Sequence, residues 1–131
     1  MNTLIKTYYA TFNSGDREAL LALLHPEVVH EINEGGVETG VDAFREFLRR
    51  MDRCYRETVE ELVVFGSDDP ARAAAEFFIR GQYLSTDEGL PEATGQTYHL
   101  RVGAFFEIRD GLISRVSNYY NLAAWLRMVG A

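Results

Sequence analysis

The chain has 131 residues, a formal net charge of -7 and 47% hydrophobic residues, which fits one domain (residues 1–131) with a substantial apolar core. Acidic balance and a lone lysine, Lys6, argue against a nucleic-acid surface, because neutralising phosphates takes clustered Lys and Arg; the run Arg49 to Arg56 reads as a solvated helix face. The single Cys54 rules out an internal disulfide, and the chain shows neither a signal-peptide pattern nor an apolar run of membrane-spanning length, so the reading is cytoplasmic with no membrane contact.

Leu4, Ile5, Tyr8, Tyr9 and Phe12 recur at helical spacing and predict an amphipathic helix over 3–13, stopped at Asn13-Ser14-Gly15. Asp16 caps a second helix, whose buried side is Leu20, Leu21, Leu23 and Leu24 and which ends at His25-Pro26. Glu27 to Asn33 is strand-like, Gly35-Gly36 is a turn, and a third helix runs from about Val41 to Arg53. Strands follow over 58–66, 72–85, 97–109 and 112–121, with a polar loop at 86–96 and a hairpin signal at Asp110-Gly111. Residues 122–129 form a short terminal helix or coil. Helices followed by a strand meander predict an α+β domain: helices on one face of a curved antiparallel sheet, with space for an apolar small-molecule ligand between them.

The stretch Val28 to Gly40 holds His30, Glu31, Glu34 and Glu38. Strand alternation puts Val29, Glu31 and Asn33 on one face and Val28, His30 and Ile32 on the other. Parity on the long strands nominates Phe77, Ile79, Ala104 and Phe106, and on the last strand Val116, Asn118 and Tyr120, as pocket wall; Trp125 stands where it could close the mouth. His25, His30 and His99 lack the spacing of a metal site, and neither a nucleophile elbow, a phosphate loop nor a dinucleotide fingerprint is present.

The order of elements, the spacing of the glycines and the hairpin Asp110-Gly111-Leu112-Ile113 resemble the NTF2-like superfamily over nearly the whole chain, and within it the ketosteroid isomerase and SnoaL-like branch. The resemblance implies a cone-shaped fold with three N-terminal helices on a curved antiparallel β-sheet. The family's isomerases use a carboxylate base on the first strand, a Tyr on the first helix and a protonated Asp on a later strand. Their Tyr lies eight residues before the Asp of a Gly-Asp step, which here is Gly15-Asp16 and selects Tyr8. Their base lies nine residues before the Gly that opens the third helix; with Gly40 in that place, this is Glu31. The third position falls on Gly103 or Ala104, neither of which can donate a proton; Asn118 or the Tyr120 hydroxyl are the substitutes. Losing one such donor costs roughly 100- to 1000-fold in rate.

The resemblance thus implies a proton-transfer isomerase or a SnoaL-like cyclase for an apolar carbonyl compound, with Glu31 as base, Tyr8 as oxyanion donor and no cofactor or metal. Two alternatives stand beside it. One is a non-catalytic ligand-binding or dimerisation module, in which Glu76, Phe78, Arg80 and Gln82 form an outer sheet face that pairs with a second copy as a homodimer. The other is a hydrolase resembling limonene epoxide hydrolase, with Arg101 and either Glu76 or Glu31 around a water.

Overall fold

In the computed structural model, which describes residues 2–130, helix α1 (Asn2–Ser14) and the short α2 (Arg17–Leu21) lead into β1 (Leu24–Glu31) and β2 (Val37–Thr39). Helix α3 (Val41–Cys54) then runs directly into β3 (Tyr55–Phe65), and β4 (Arg72–Tyr83), β5 (Thr97–Arg109), β6 (Leu112–Tyr120) and α4 (Leu122–Val129) complete the chain. The local chemistry is that expected of the sequence. Asp16 accepts a hydrogen bond from the Ala19 amide at 3.0 Å and caps α2, and Asn121 caps α4 in the same way. Asp110 and Gly111 both have positive φ, 56° and 75°, the backbone that a two-residue hairpin needs between β5 and β6. Gly40, at φ 97°, opens α3 while its amide donates to the Val28 carbonyl at 2.8 Å, a conformation that an L side chain would strain.

The strands form one curved, unclosed sheet in the order β2-β1-β6-β5-β4-β3. Every neighbouring pair is antiparallel except β1 with β6, which is parallel, so the sheet is mixed where an all-antiparallel one was expected. The first strand also starts earlier than expected: His25 and Pro26 lie inside β1 instead of ending a helix. A shift in the β1–β6 register between Leu24 and Val29 explains how Pro26, which lacks an amide donor, is accommodated.

The core lies between the sheet and the helices. Ile5, Tyr8 and Tyr9 of α1, Phe44 and Leu48 of α3, and Trp125 of α4 are buried against inward residues such as Val59, Phe77 and Phe106. Asn13, at the end of α1, both donates to the Val59 carbonyl (2.9 Å) and accepts from the Val59 amide (2.8 Å), so the helix end satisfies the free side of edge strand β3. Among the described residues no helix is long and apolar enough to cross a membrane.

Candidate functional site

A cavity of about 310 Å³ opens between the concave side of the sheet and the helices. Its wall is largely aromatic and aliphatic: Tyr8, Tyr9 and Phe12 from α1, Phe44 and Phe47 from α3, Phe77 and Ile79 from β4, Leu100 and Val102 from β5, and Trp125 from α4. Beside the tyrosine hydroxyls, polar groups enter at His30, Asn33, Arg50, Glu57, Asp87, Asn118 and the bidentate Arg17–Asp52 pair, whose closest contact is 2.7 Å.

Glu57 is a half-buried acid of this wall. Three strands position it: Glu57 of β3 pairs with Gly81 of β4, and Gly81 pairs with Tyr98 of β5. The Tyr98 ring lies across Gly81, where a Cβ would fall only 2.2 Å from the ring, and its hydroxyl donates to Glu57 Oε2 at 2.5 Å. The bare glycine therefore lets a tyrosine reach across an intervening strand to hold the carboxyl group. Burial pushes the Glu57 pKa up from its ordinary value of 4.5, against the smaller lowering effects of the Tyr98 hydrogen bond and the Arg17 charge. Burial and the neighbouring Glu57 together push the Tyr98 hydroxyl up as well.

Asp87 comes from the loop between β4 and β5 and is buried. It accepts a hydrogen bond from the Tyr55 hydroxyl at 2.8 Å, its amide donates to the Tyr83 hydroxyl at 2.9 Å, and Arg50 stands 3.7 Å away. Tyr55 stacks on Tyr83 with ring centres 5.3 Å apart, and Trp125 meets both edge-on. This loop and α4 thus close one end of the cavity.

His30 lies in the opposite wall and is 2% exposed. Its ring stacks on Phe44 at 4.4 Å and meets Phe47 edge-on at 4.5 Å, and burial lowers its pKa from 6.5 to about 4. Three polar atoms around the cavity, Tyr9 Oη, His30 Nδ1 and Asn33 Nδ2, are buried without a hydrogen-bond partner, as is Glu38 Oε1 behind His30. Groups left in that state cost free energy until something pairs with them.

The structure corrects the expectation for Glu31. Val28 and His30 are the inward residues of β1, so Glu31 stands on the outer face, away from the cavity. There its carboxylate accepts from the Ser117 hydroxyl and from Arg115 at 3.2 Å, and these two bonds hold its pKa below the usual carboxylate value. Arg115 also pairs with Glu107, which makes the cluster a clasp across the parallel β1–β6 pair.

Tyr8 does line the cavity, buried edge-on against Tyr9 and Phe106, with its hydroxyl pKa raised by burial. Phe77, Ile79, Asn118, Tyr120 and Trp125 line it as well. Ala104, Phe106 and Val116 do not: they are inward-facing, as parity requires, but they sit where α1 has closed onto the sheet and belong to the solid core. Arg101 and Glu76 pair with each other on the outer face at 3.3 Å, and Glu31 is outside as well, so the set expected from Arg101 with either acid is not assembled in the cavity. Glu57, Asp87 and Asn33 were not singled out from the sequence. The one available signal was an acid, Glu57, on the same strand parity as the apolar Tyr55 and Val59.

The family profile described as SnoaL-like domain matches residues 5–116. A Pseudomonas putida protein assigned as a polyketide cyclase is 53% identical, with 97% of this chain and 96% of that one covered and a TM-score of 0.95. A Silicibacter sp. TM1040 protein with the same assignment is 47% identical over 99% and 95% of the two chains, with a TM-score of 0.97. A third, from Xanthomonas campestris pv. campestris, is 49% identical over 98% and 95%, with a TM-score of 0.94. No curated protein gives a significant match.

Proposed function

The chain belongs to the SnoaL-like domain family, and from that premise we propose that its cavity binds a flat, oxygenated carbonyl compound of the polyketide class and promotes a cyclisation or isomerisation of it by proton transfer. One observation carries the reading: a carboxyl group, Glu57, faces an aromatic-walled cavity and burial shifts it towards the protonated form. Desolvation of this kind disfavours the charged carboxylate and makes Glu57 the candidate to give a proton to a developing enolate oxygen. The cavity volume, about 310 Å³, suits a ligand of a few fused rings. Its orphaned polar atoms at Tyr9 and Asn33 suit a ligand carrying oxygen at more than one position.

Glu57 acts as the acid, and the Tyr8 hydroxyl, with Asn118, donates to the substrate oxygen. Product formation from hydroxylated aromatic ketones and their open-chain precursors tests this. Glu57→Gln should bind such a compound as the parent does, read from quenching of Trp125 fluorescence, and lose roughly 100-fold or more in turnover. Equal turnover in the two proteins would remove Glu57 from the reaction.

We propose, further, that the protein is a homodimer through the outer sheet face. Aromatic groups on that face support it: Phe105 and Tyr119 pack edge-on at 5.7 Å yet stay 48% and 55% exposed, and Phe78 stacks on His99 at 4.6 Å further along the same face. A sedimentation mass of one chain would contradict it.

A further inference from the structure

His30 and Glu38 face each other across the β1–β2 hairpin, as register partners. Partners in that position present their side chains to the same side of the sheet. His30 Nδ1 and Glu38 Oε1 are 3.8 Å apart; both atoms are buried and neither has a hydrogen-bond partner. One is a nitrogen able to donate and the other is an acceptor, and an N–H···O bond would bring them about 1 Å closer. Glu38 has room to make that move, because its side chain is 39% exposed, whereas Phe44 and Phe47 hold the imidazole in place.

We propose that His30 is the catalytic base of this cavity and Glu38 its positioning residue, a two-residue relay in which Glu38 accepts from Nδ1–H and leaves the Nε2 lone pair for the ligand. The inference rests on the proton-transfer reading above and deepens it, since Glu57 supplies an acid and that reaction also needs a base. The argument for the tautomer is electrostatic. A neutral imidazole carries one N–H, and a carboxylate oxygen facing Nδ1 favours that proton on Nδ1 and repels a lone pair there. The other ionisable acids and the arginines of the cavity wall are engaged elsewhere, Arg17 with Asp52, Arg50 beside Asp87 and Glu57 with Tyr98, so Glu38 is the charge that faces Nδ1.

The step balances within the cavity. Nε2 takes a proton from the carbon next to the ligand carbonyl. The C–H electron pair becomes the enol double bond, and the carbonyl π pair moves onto oxygen, which takes the proton of Glu57. The imidazolium forms between two phenylalanine rings, where it would be poorly stabilised without the Glu38 carboxylate. In an isomerisation His30 then returns its proton to a carbon further along the conjugated system while Glu57 recovers its own.

The test is a two-bond ¹H–¹⁵N correlation spectrum of the full chain labelled at histidine. His30 should show a pyrrole-like Nδ1 and a pyridine-like Nε2 at pH 7. Glu38→Ala should lose that preference, and Glu38→Gln should keep it, because an amide oxygen also accepts from Nδ1–H. An Nε2–H tautomer in the parent protein overturns the relay, and this reading needs no variant to fold. In turnover, His30→Gln should lose roughly 100-fold or more and Glu38→Ala roughly 10-fold. Full turnover in both variants overturns the relay and leaves the proposed function standing. An Nδ1–H tautomer in a protein that transfers no proton on any ketone overturns that function and, with it, the role of base.

Discussion

Burial of His30 makes a sharp statement about stability against pH. Its pKa is 6.5 in the unfolded chain and about 4 in the fold, because the ring is enclosed between Phe44 and Phe47. In the resting geometry Glu38 stands 3.8 Å from Nδ1, beyond hydrogen-bond distance, and burial sets the shift. As pH falls through 6.5 the unfolded chain takes up this proton first, so stability is lost progressively from there down to about 4. The complete loss is about 3 kcal/mol, of which about 2.5 kcal/mol falls between pH 7 and pH 4.5. Replacing the residue by a non-titrating apolar one, His30→Leu, removes this contribution and leaves all other titrations common to both proteins. Urea unfolding followed by far-ultraviolet circular dichroism at pH 7 and pH 4.5 therefore isolates it. The parent protein should lose about 2.5 kcal/mol more than His30→Leu over that interval. A difference under about 1 kcal/mol would refute the burial argument for His30.

Three other substitutions probe the structure around the cavity. Gly81→Ala places a Cβ 2.2 Å from the Tyr98 ring and should cost about 1–3 kcal/mol, seen as a lower Tm, with Glu57 losing its hydroxyl partner. Tyr55→Phe deletes the donor to buried Asp87 and should cost about 1–3 kcal/mol, with faster amide exchange in the loop between β4 and β5. Glu31→Gln should leave turnover unchanged, because Glu31 stands outside the cavity. The same variant should have a slightly lower Tm near neutral pH. The lowered pKa of Glu31 means its stabilisation is present above the ordinary carboxylate range and is lost as pH falls, so the two proteins should converge in acid.

Much of the fold was legible because periodicity and turn chemistry are local. The strand expected over 97–109 coincides with β5, the terminal segment 122–129 coincides with α4, and Asp110-Gly111 makes the turn it was expected to make. The parallel β1–β6 pair was not legible, because it joins residues 24–31 to 113–117 and no local signal records so distant a partner. Strand parity correctly separated His30 from Glu31, but alternation alone does not say which face looks inward. The company His30 keeps did carry that information, since it alternates with the apolar Val28 and Ile32. Ala104, Phe106 and Val116 teach a second limit. Parity placed them on the inner face, yet the depth at which α1 meets the sheet decides whether an inward residue lines a void or fills the core. Glu57 was missed for a third reason: its support comes from Tyr98, two strands away, across a glycine.

Solvent deuterium incorporation is the most direct test of a proton-transferring cavity, since it requires no knowledge of the natural substrate. A flat, enolisable aromatic ketone is incubated in deuterium oxide with the parent protein and with Glu57→Gln, and label at the carbon beside the carbonyl is followed by mass spectrometry. The account predicts incorporation well above the protein-free rate with the parent protein, reduced roughly 100-fold in the variant while the ketone still binds. Binding without any protein-dependent incorporation, or equal incorporation by both proteins, would contradict it.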